Sequence, residues 1–255
     1  MGYEMVIYEK RDQVAYVTFN RPQQLNAYGN KMMQELEEIW RDFGSDPDMR
    51  VAIITGKGRG FCAGWDVKEG AAGIPDLSGI AKFTPRRAEV FKPVICAVNG
   101  ICAGGGFRFI LESDLPICSE EATFTDPHTS LGFVSQPEVV VLSRFIGYFQ
   151  ALRVGLVGRY ERISAQRAYE MGLVTEVVPA DQLQARAQEL AEKVRQNAPL
   201  ALSGTIEAMW RGANLGLENA VRLSDKIARW NAMTEDYREG PRAFAEKRQP
   251  QWKGR

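Results

Sequence analysis

Val98-Asn99-Gly100-Ile101-Cys102-Ala103-Gly104-Gly105-Gly106-Phe107-Arg108 is the stretch that decides how this chain folds. It continues an apolar run, Pro93-Val94-Ile95-Cys96-Ala97-Val98, that reads as a buried strand, and residues 107–112 read as a helix start. Three consecutive glycines between a strand and a helix let a ligand approach the backbone closely and leave helix-terminal N–H groups facing it. Such a place can hold an anion or a developing negative charge. The plainer alternative is that the glycines only let the helix pack tightly on the strand.

Spacing excludes the commoner glycine loops. A dinucleotide fingerprint needs Gly-x-Gly-x-x-Gly, and a phosphate loop needs Lys and Ser or Thr after its last Gly. A nucleophile elbow needs Ser between two glycines, and this stretch has no Ser. The backbone itself is left as the candidate functional group.

Around that stretch, 255 residues with 45% hydrophobic content can bury a sizeable core, as one large α/β domain or as a core with a helical appendage. Lys plus Arg and Asp plus Glu both number 32, so there is no overall basic field for nucleic acid and a phosphate-bearing ligand must be met locally. Cys62, Cys96, Cys102 and Cys118 form no Cys-x-x-Cys pair and read as buried free thiols of a reducing compartment. The polar N-terminus and the lack of a long apolar run predict a cytoplasmic protein that does not enter membranes. His128 is the single histidine, which excludes a His-rich metal site and confines imidazole chemistry to that residue.

Upstream, alternation over 6–9 and 14–19 predicts a hairpin, and 20–29 reads as a polar loop. Asn30 is placed to cap a helix carrying Met32, Met33, Leu36, Ile39 and Trp40, with Gly44 past its end. After a strand over 51–55 comes a second glycine-rich turn, Gly58-Arg59-Gly60-Phe61-Cys62-Ala63-Gly64-Trp65-Asp66, which could converge with the first at one end of a sheet. Residues 69–85 read as a mobile loop and 86–91 as a helix.

Downstream, short strands over 115–118 and 122–124 lead into Asp126-Pro127-His128, and Pro137 suits the first turn of a helix through Ile146. Another helix runs from about 149 to Gly158. Ser164 caps a helix ended by Gly172, and 173–178 is a strand. The last third reads as helices: one capped by Asp181, one opened by Pro199, and a long amphipathic one over 215–238.

Several of these motifs together resemble the crotonase superfamily of enoyl-CoA hydratases and isomerases. They are Asn20-Arg21-Pro22 with Leu25-Asn26-Ala27, Gly60 through Asp66, Pro93 through Gly106, Ile163-Ser164-Ala165 through Gly172-Leu173-Val174, and Glu239-Gly240 through Glu246-Lys247-Arg248. The resemblance covers nearly the whole chain. It implies an α/β fold: a crotonase-like spiral of ββα units over 1–195, which binds and transforms acyl-CoA, and a C-terminal helical trimerisation region over 196–255. A homotrimer or dimer of trimers is expected, with an acyl-CoA thioester as partner. Coenzyme A enters as part of the substrate, and no other cofactor or metal is implied.

The resemblance also assigns roles. The N–H groups of Trp65 and Gly105 become an oxyanion hole for the thioester oxygen, where loss of one donor typically costs about 3–4 kcal/mol of barrier. The Trp65 indole either narrows the acyl pocket or simply packs. CoA is expected along Gln24, Leu25, Ala27, Ala63, Asp66, Val67 and Gly104, with Lys247 and Arg248 near its 3′-phosphate or serving as solvated charge.

The chain departs from the family where a hydratase has its two glutamates. Arg108 holds the first position and His128 the second. Asp126 and His128 flank Pro127 on an extended segment and so share a face, which suits an orienting carboxylate and a general base. The alternative is a local turn bond for Asp126 and mere packing for His128. Arg108 reads either as the partner of Glu112 one turn on, or as a pocket cation that disfavours protonated His128 and attracts a substrate carboxylate. Glu138 is a reserve acid or base, or a helix-terminal cap. The Asp of some hydrolase relatives aligns with Gln136. Hydration or isomerisation with His128 as base is the leading expectation. Carbon–carbon or thioester hydrolysis, or acyl-CoA binding without turnover, are the alternatives.

Overall fold

The computed structural model describes residues 2–70, 82–135 and 138–255. Strands β1 (Val6–Arg11) and β2 (Val14–Phe19) form the expected antiparallel hairpin, with Asp12 and Gln13 at positive φ in its turn. From there the chain repeats one move. A strand joins a large sheet, the next joins a small sheet, and a helix or turn leads back.

β3 (Val51–Gly56) pairs parallel with β2, and β4 (Gly60–Cys62) starts the small sheet before the short helix α2 (Val67–Gly70). β5 (Val94–Val98) lies parallel to β3, β6 (Ile101–Ala103) parallel to β4, and α3 (Phe107–Leu111) follows. β7 (Leu115–Ser119) and β8 (Thr123–Thr125) repeat the step beside β5 and β6. β9 (Ile163–Ser164) closes the small sheet antiparallel to β8, and β10 (Glu176–Val178) pairs parallel with β7. The large sheet therefore runs β1-β2-β3-β5-β7-β10 and the small one β4-β6-β8-β9. This alternation is the ββα spiral of a mixed α/β fold.

The parallel strands read as continuous apolar runs because both faces are covered. On one face Ala52, Ile54, Cys96 and Val98 join the main core with Trp40, Phe43, Phe61 and Phe109. On the other, Val51, Ile53, Ile95 and Ala97 meet Leu183, Ala187 and Ala191 of α7 (Leu183–Arg195). Helix α1 (Asn30–Ser45) buries Met32, Met33, Leu36, Ile39, Trp40 and Phe43 on one stripe.

Several local expectations are corrected. Residues 20–29 are not simply polar loop, since Asn26, Ala27 and Tyr28 are buried. Asn30 does not cap α1: Gly29 is the N-cap, and Glu69 accepts the Asn30 N–H at 3.0 Å. Gly44 lies inside that helix because Val90 packs where its side chain would stand. Residues 86–91 form turns rather than a helix, bound by the buried Arg86 to the carbonyl of Val90 and to Asp114. Asp181 falls in a 3-10 turn, and the strand expected over 173–178 is restricted to β10. Ser164 does cap α6 (Ala165–Glu170), accepting from the Arg167 N–H at 3.2 Å. The expected loop over 69–85 lies largely outside the described residues, as do Gln136 and Pro137, while its end, Phe83 and Thr84, is buried.

After α4 (Glu138–Ile146) and α5 (Tyr148–Val157), the chain ends in α8 (Pro199–Gly212), α9 (Leu217–Asn231) and α10 (Glu235–Ala245). The single helix expected over 215–238 is broken at 232–234, where the Thr234 side chain caps α10 by accepting from the Tyr237 N–H. Among the described residues no helix is long and apolar enough to cross a membrane.

For function, the register of the small sheet matters most. Cys62 of β4 faces Cys102 of β6, and Ala103 of β6 faces Thr125 of β8. The loops that carry Trp65, Gly105 and His128 therefore leave the same ends of three adjacent parallel strands, where ligands of parallel α/β sheets bind.

Candidate active site

The two glycine-rich turns meet. Gly64 has φ of +90°, and a side chain there would stand 2.8 Å from the Ala103 carbonyl and 3.1 Å from the Gly105 nitrogen. A Cβ on Gly105 would fall 1.9 Å from the Tyr28 hydroxyl. Only glycine lets these backbones approach so closely. Gly104–Gly106 form a 3-10 turn, whose first N–H groups have no acceptor within the helix. Tyr28 bridges to Trp65 by donating to the Gly64 carbonyl and accepting from the Asp66 N–H, both at 2.9 Å. That pattern uses the neighbours of Trp65 and leaves its own N–H without a backbone acceptor among the described residues.

Asp126 and His128 come together as their spacing predicts. The His128 Nδ1 is hydrogen-bonded to Asp126 Oδ1, which also accepts the His128 backbone N–H at 3.2 Å. Asp126 is 1% exposed, and its second oxygen accepts a hydrogen bond from the Ser135 hydroxyl. The imidazole lies on the glycine turn, with Cε1 3.3 Å from where a Gly104 side chain would stand. The bond to Asp126 raises the His128 pKa above its usual value, against the opposing effect of burial. Burial alone would raise the Asp126 pKa, but the bonds from His128 and Ser135 outweigh it and hold the carboxyl below its ordinary range. Arg108 opposes charge on His128, as expected, but Asp126 and Glu138 outweigh it.

Arg108 does not pair with Glu112. Its Nε donates to Glu138 Oε1 at 2.6 Å, and Glu138 is 2% exposed. Glu112 instead accepts from Thr84 at 2.5 Å and lies 3.6 Å from Arg87. The guanidinium carbon of Arg108 is 5.8 Å from the centre of the Phe83 ring.

The loops expected to follow CoA are tightly built. Leu25 and Asn26 adopt positive φ, the Leu25 carbonyl accepts the Ala63 N–H at 3.0 Å, and the buried Asn26 side chain donates to Gly60 O at 2.7 Å and Lys57 O at 3.0 Å. Gln24 and Val67 are exposed, and Ala27 is buried. The Asp66 carboxylate is committed to Arg21 at 2.9 Å; burial raises its pKa, but that bond and the Lys68 N–H lower it further. Arg248 is fully engaged by Glu239 and Glu246. Lys247 is exposed, and among the described residues it makes no ion pair.

Tyr28 and Ser135 are the site residues that sequence reasoning missed. Tyr28 sits in a loop whose polar neighbours hide it, and no spacing rule links Ser135 to a carboxylate nine positions back. Cysteine nucleophiles are excluded on chemistry, since burial pushes the thiols of Cys62 and Cys118 up to about 12 and holds Cys96 and Cys102 well above their usual value. Among the described residues no cluster of His, Cys, Asp and Glu could hold a metal ion.

A family model for enoyl-CoA hydratase/isomerase matches residues 9–255. A carnitinyl-CoA dehydratase of Proteus mirabilis is 39% identical over 96% of this chain and 97% of its own. A mevalonyl-coenzyme A hydratase of Aspergillus fumigatus is 37% identical over 94% of this chain and 91% of its own. The crystal structure of an enoyl-CoA hydratase/isomerase from Mycobacterium paratuberculosis superposes with a TM-score of 0.94 at 41% identity, over 100% of both chains. A shared spiral of sheets and an identity near two-fifths along the whole length leave one conclusion: the chain is an acyl-CoA-processing member of the enoyl-CoA hydratase/isomerase, or crotonase, family.

Proposed function

We propose that this enzyme adds water to, or removes it from, the α,β-positions of an acyl-CoA thioester, with His128 as its proton carrier. The observation that carries the reading is the Asp126-held imidazole lying on the Gly104–Gly106 turn. Relatives named as a dehydratase and a hydratase support the reaction class.

In dehydration, the neutral His128 Nε2 takes the Cα proton. The electron pair moves into the enolate, and the charge on the thioester oxygen is held by the N–H groups of Trp65 and Gly105. The pair then returns to form the double bond as the β-hydroxyl leaves, taking the proton from the imidazolium to depart as water. Hydration is the reverse. One group can serve as both base and acid because it finishes each half-reaction in the form the next one needs. Asp126 holds the proton on Nδ1 and stabilises the imidazolium, while Ser135 keeps the carboxylate turned.

CoA lies along Gln24, Leu25, Ala27, Ala63, Gly104 and Val67, with Asp66 acting through its ion pair to Arg21 rather than as a direct contact. Lys247 meets the 3′-phosphate. Residues 1–195 form the acyl-CoA unit, and residues 196–255 form a trimer contact. Support for that contact comes from the exposed Leu217, Trp230, Met233 and Phe244 of the last helices.

Incubation with a panel of 2-enoyl- and 3-hydroxyacyl-CoA esters, read by mass spectrometry, tests the reaction. Gain or loss of one water on an intact CoA ester supports the reading. Release of free CoA would instead establish thioester hydrolysis, and no change of any ester would indicate binding without turnover.

A further inference from the structure

Tyr28 touches both turns that carry the oxyanion donors. Its backbone N–H donates to the Gly64 carbonyl and its carbonyl accepts from the Asp66 N–H, each at 2.9 Å, which clasps the turn bearing Trp65. Its ring packs edge-on against the Trp65 indole, with centres 5.7 Å apart at 78°. At the far end of the side chain, the hydroxyl oxygen lies 1.9 Å from where a Gly105 side chain would begin, so it rests on the Gly105 backbone. The buried rings of Phe83 and Phe109 also pack on Tyr28, with centres 5.1 and 6.0 Å away. The proton transfer assigned to His128 does not use this phenol.

Two loops that meet through glycines have no side chains at the contact to fix how far apart their N–H groups stand, and Gly64 and Gly104 sit at φ of +90° and +49°. Misplacing a reacting group by about 1 Å can cost about 10²-fold in rate, so a neighbour must set the spacing. A buried phenol usually finds a hydrogen-bond partner. Tyr28 is 4% exposed, yet among the described residues its hydroxyl donates to no acceptor. Phenylalanine would fill the same place without that unpaired donor, so what the hydroxyl adds is its contact with Gly105. We propose that Tyr28 is a positioning residue, whose ring and hydroxyl space the N–H groups of Trp65 and Gly105 for the thioester oxygen. This inference rests on the oxyanion reading above.

Infrared difference spectra of butanoyl-CoA, isotopically labelled at its carbonyl carbon and bound to the full-length protein, test it. Two N–H donors polarise the thioester carbonyl, so its band should lie at lower frequency when bound to wild type than in solution. In Tyr28→Phe the band should return part of the way to the solution value. On the substrate found in the ester panel, kcat should fall about tenfold, with the Kd for butanoyl-CoA within about threefold of wild type and the Tm no lower. A hydroxyl that served structure alone would lower the Tm and leave the band in place. Tyr28→Leu, which also removes the ring from Trp65, should move the band further. A band that stays at its wild-type position in Tyr28→Phe overturns the role of Tyr28 while leaving the oxyanion reading intact. No shift in the wild type overturns the oxyanion reading, and this inference with it.

Discussion

Asp126 Oδ1 accepts two hydrogen bonds from a single residue, the backbone N–H of His128 at 3.2 Å and its imidazole Nδ1. A carboxylate is acceptor-only when ionised, so the imidazole proton stays on Nδ1 and the Nε2 lone pair is left for chemistry. Because Ser135 holds the other oxygen, the carboxylate cannot rotate without breaking that bond. Ser135 bonds to the carboxylate and not to the imidazole, so this trio is not a serine-nucleophile triad.

Replacing Asp126 with Asn should remove the charge that raises the His128 pKa and free the imidazole to change tautomer. The base-dependent limb of the kcat/KM profile should move to lower pH, and kcat should fall by about 10² or more. A steady-state pH series of wild type and Asp126→Asn checks both effects. A limb that stays in place would show that another group titrates.

The same pair makes stability depend on pH in a definite direction. The folded-state pKa of His128 is raised, so its contribution is complete below the unfolded value of about 6.5 and is lost as pH rises through the folded value. Asp126 has a depressed pKa, so its contribution is complete above its unfolded value and is lost as pH falls through the folded value. The Tm difference between wild type and His128→Gln should therefore be larger near pH 6 than at pH 9. Differential scanning calorimetry across that range checks it, and a constant difference would contradict it.

Arg108 and Glu138 should behave as a buried ion pair. Removing one partner leaves an uncompensated charge, so Arg108→Ala should destabilise by about 3 kcal/mol, whereas Arg108→Leu combined with Glu138→Leu should recover most of that loss. Denaturant unfolding of the two variants makes the comparison. Equal losses would mean that packing, not charge, holds this corner.

Gly105→Ala tests the oxyanion turn. The added methyl would meet the Tyr28 hydroxyl, so the turn must shift and the N–H with it. A fall in kcat of about 10²-fold is expected. Combining it with Tyr28→Phe should restore part of the rate by removing the nearest atom, although the ring carbons at 2.8 and 3.0 Å stay close. No rescue would place the damage elsewhere.

Much of the fold was legible because its signals are local. The apolar runs of β3 and β5 and the glycine turns after them mark buried parallel strands, and the Asp126–His128 spacing fixed a shared face. What stayed hidden depends on contacts between distant segments. Arg108 had a partner in reach at Glu112, yet Thr84 and Arg87 engage that carboxylate, and Arg108 turns to Glu138 thirty residues on. Asn30 looked like a cap, but Glu69 supplies the acceptor from another helix. Residues 86–91 had helical composition, and the buried Arg86 holds them in turns instead. The break at 232–234 rests on a capping Thr inside an otherwise continuous amphipathic pattern.

Turnover and ligand binding by His128→Ala test the central claim most directly. With a substrate identified from the ester panel, kcat should fall by about 10³-fold or more while the Kd for a saturated acyl-CoA stays within about threefold of wild type. A kcat within about tenfold of wild type would contradict the assignment of His128 as the proton carrier.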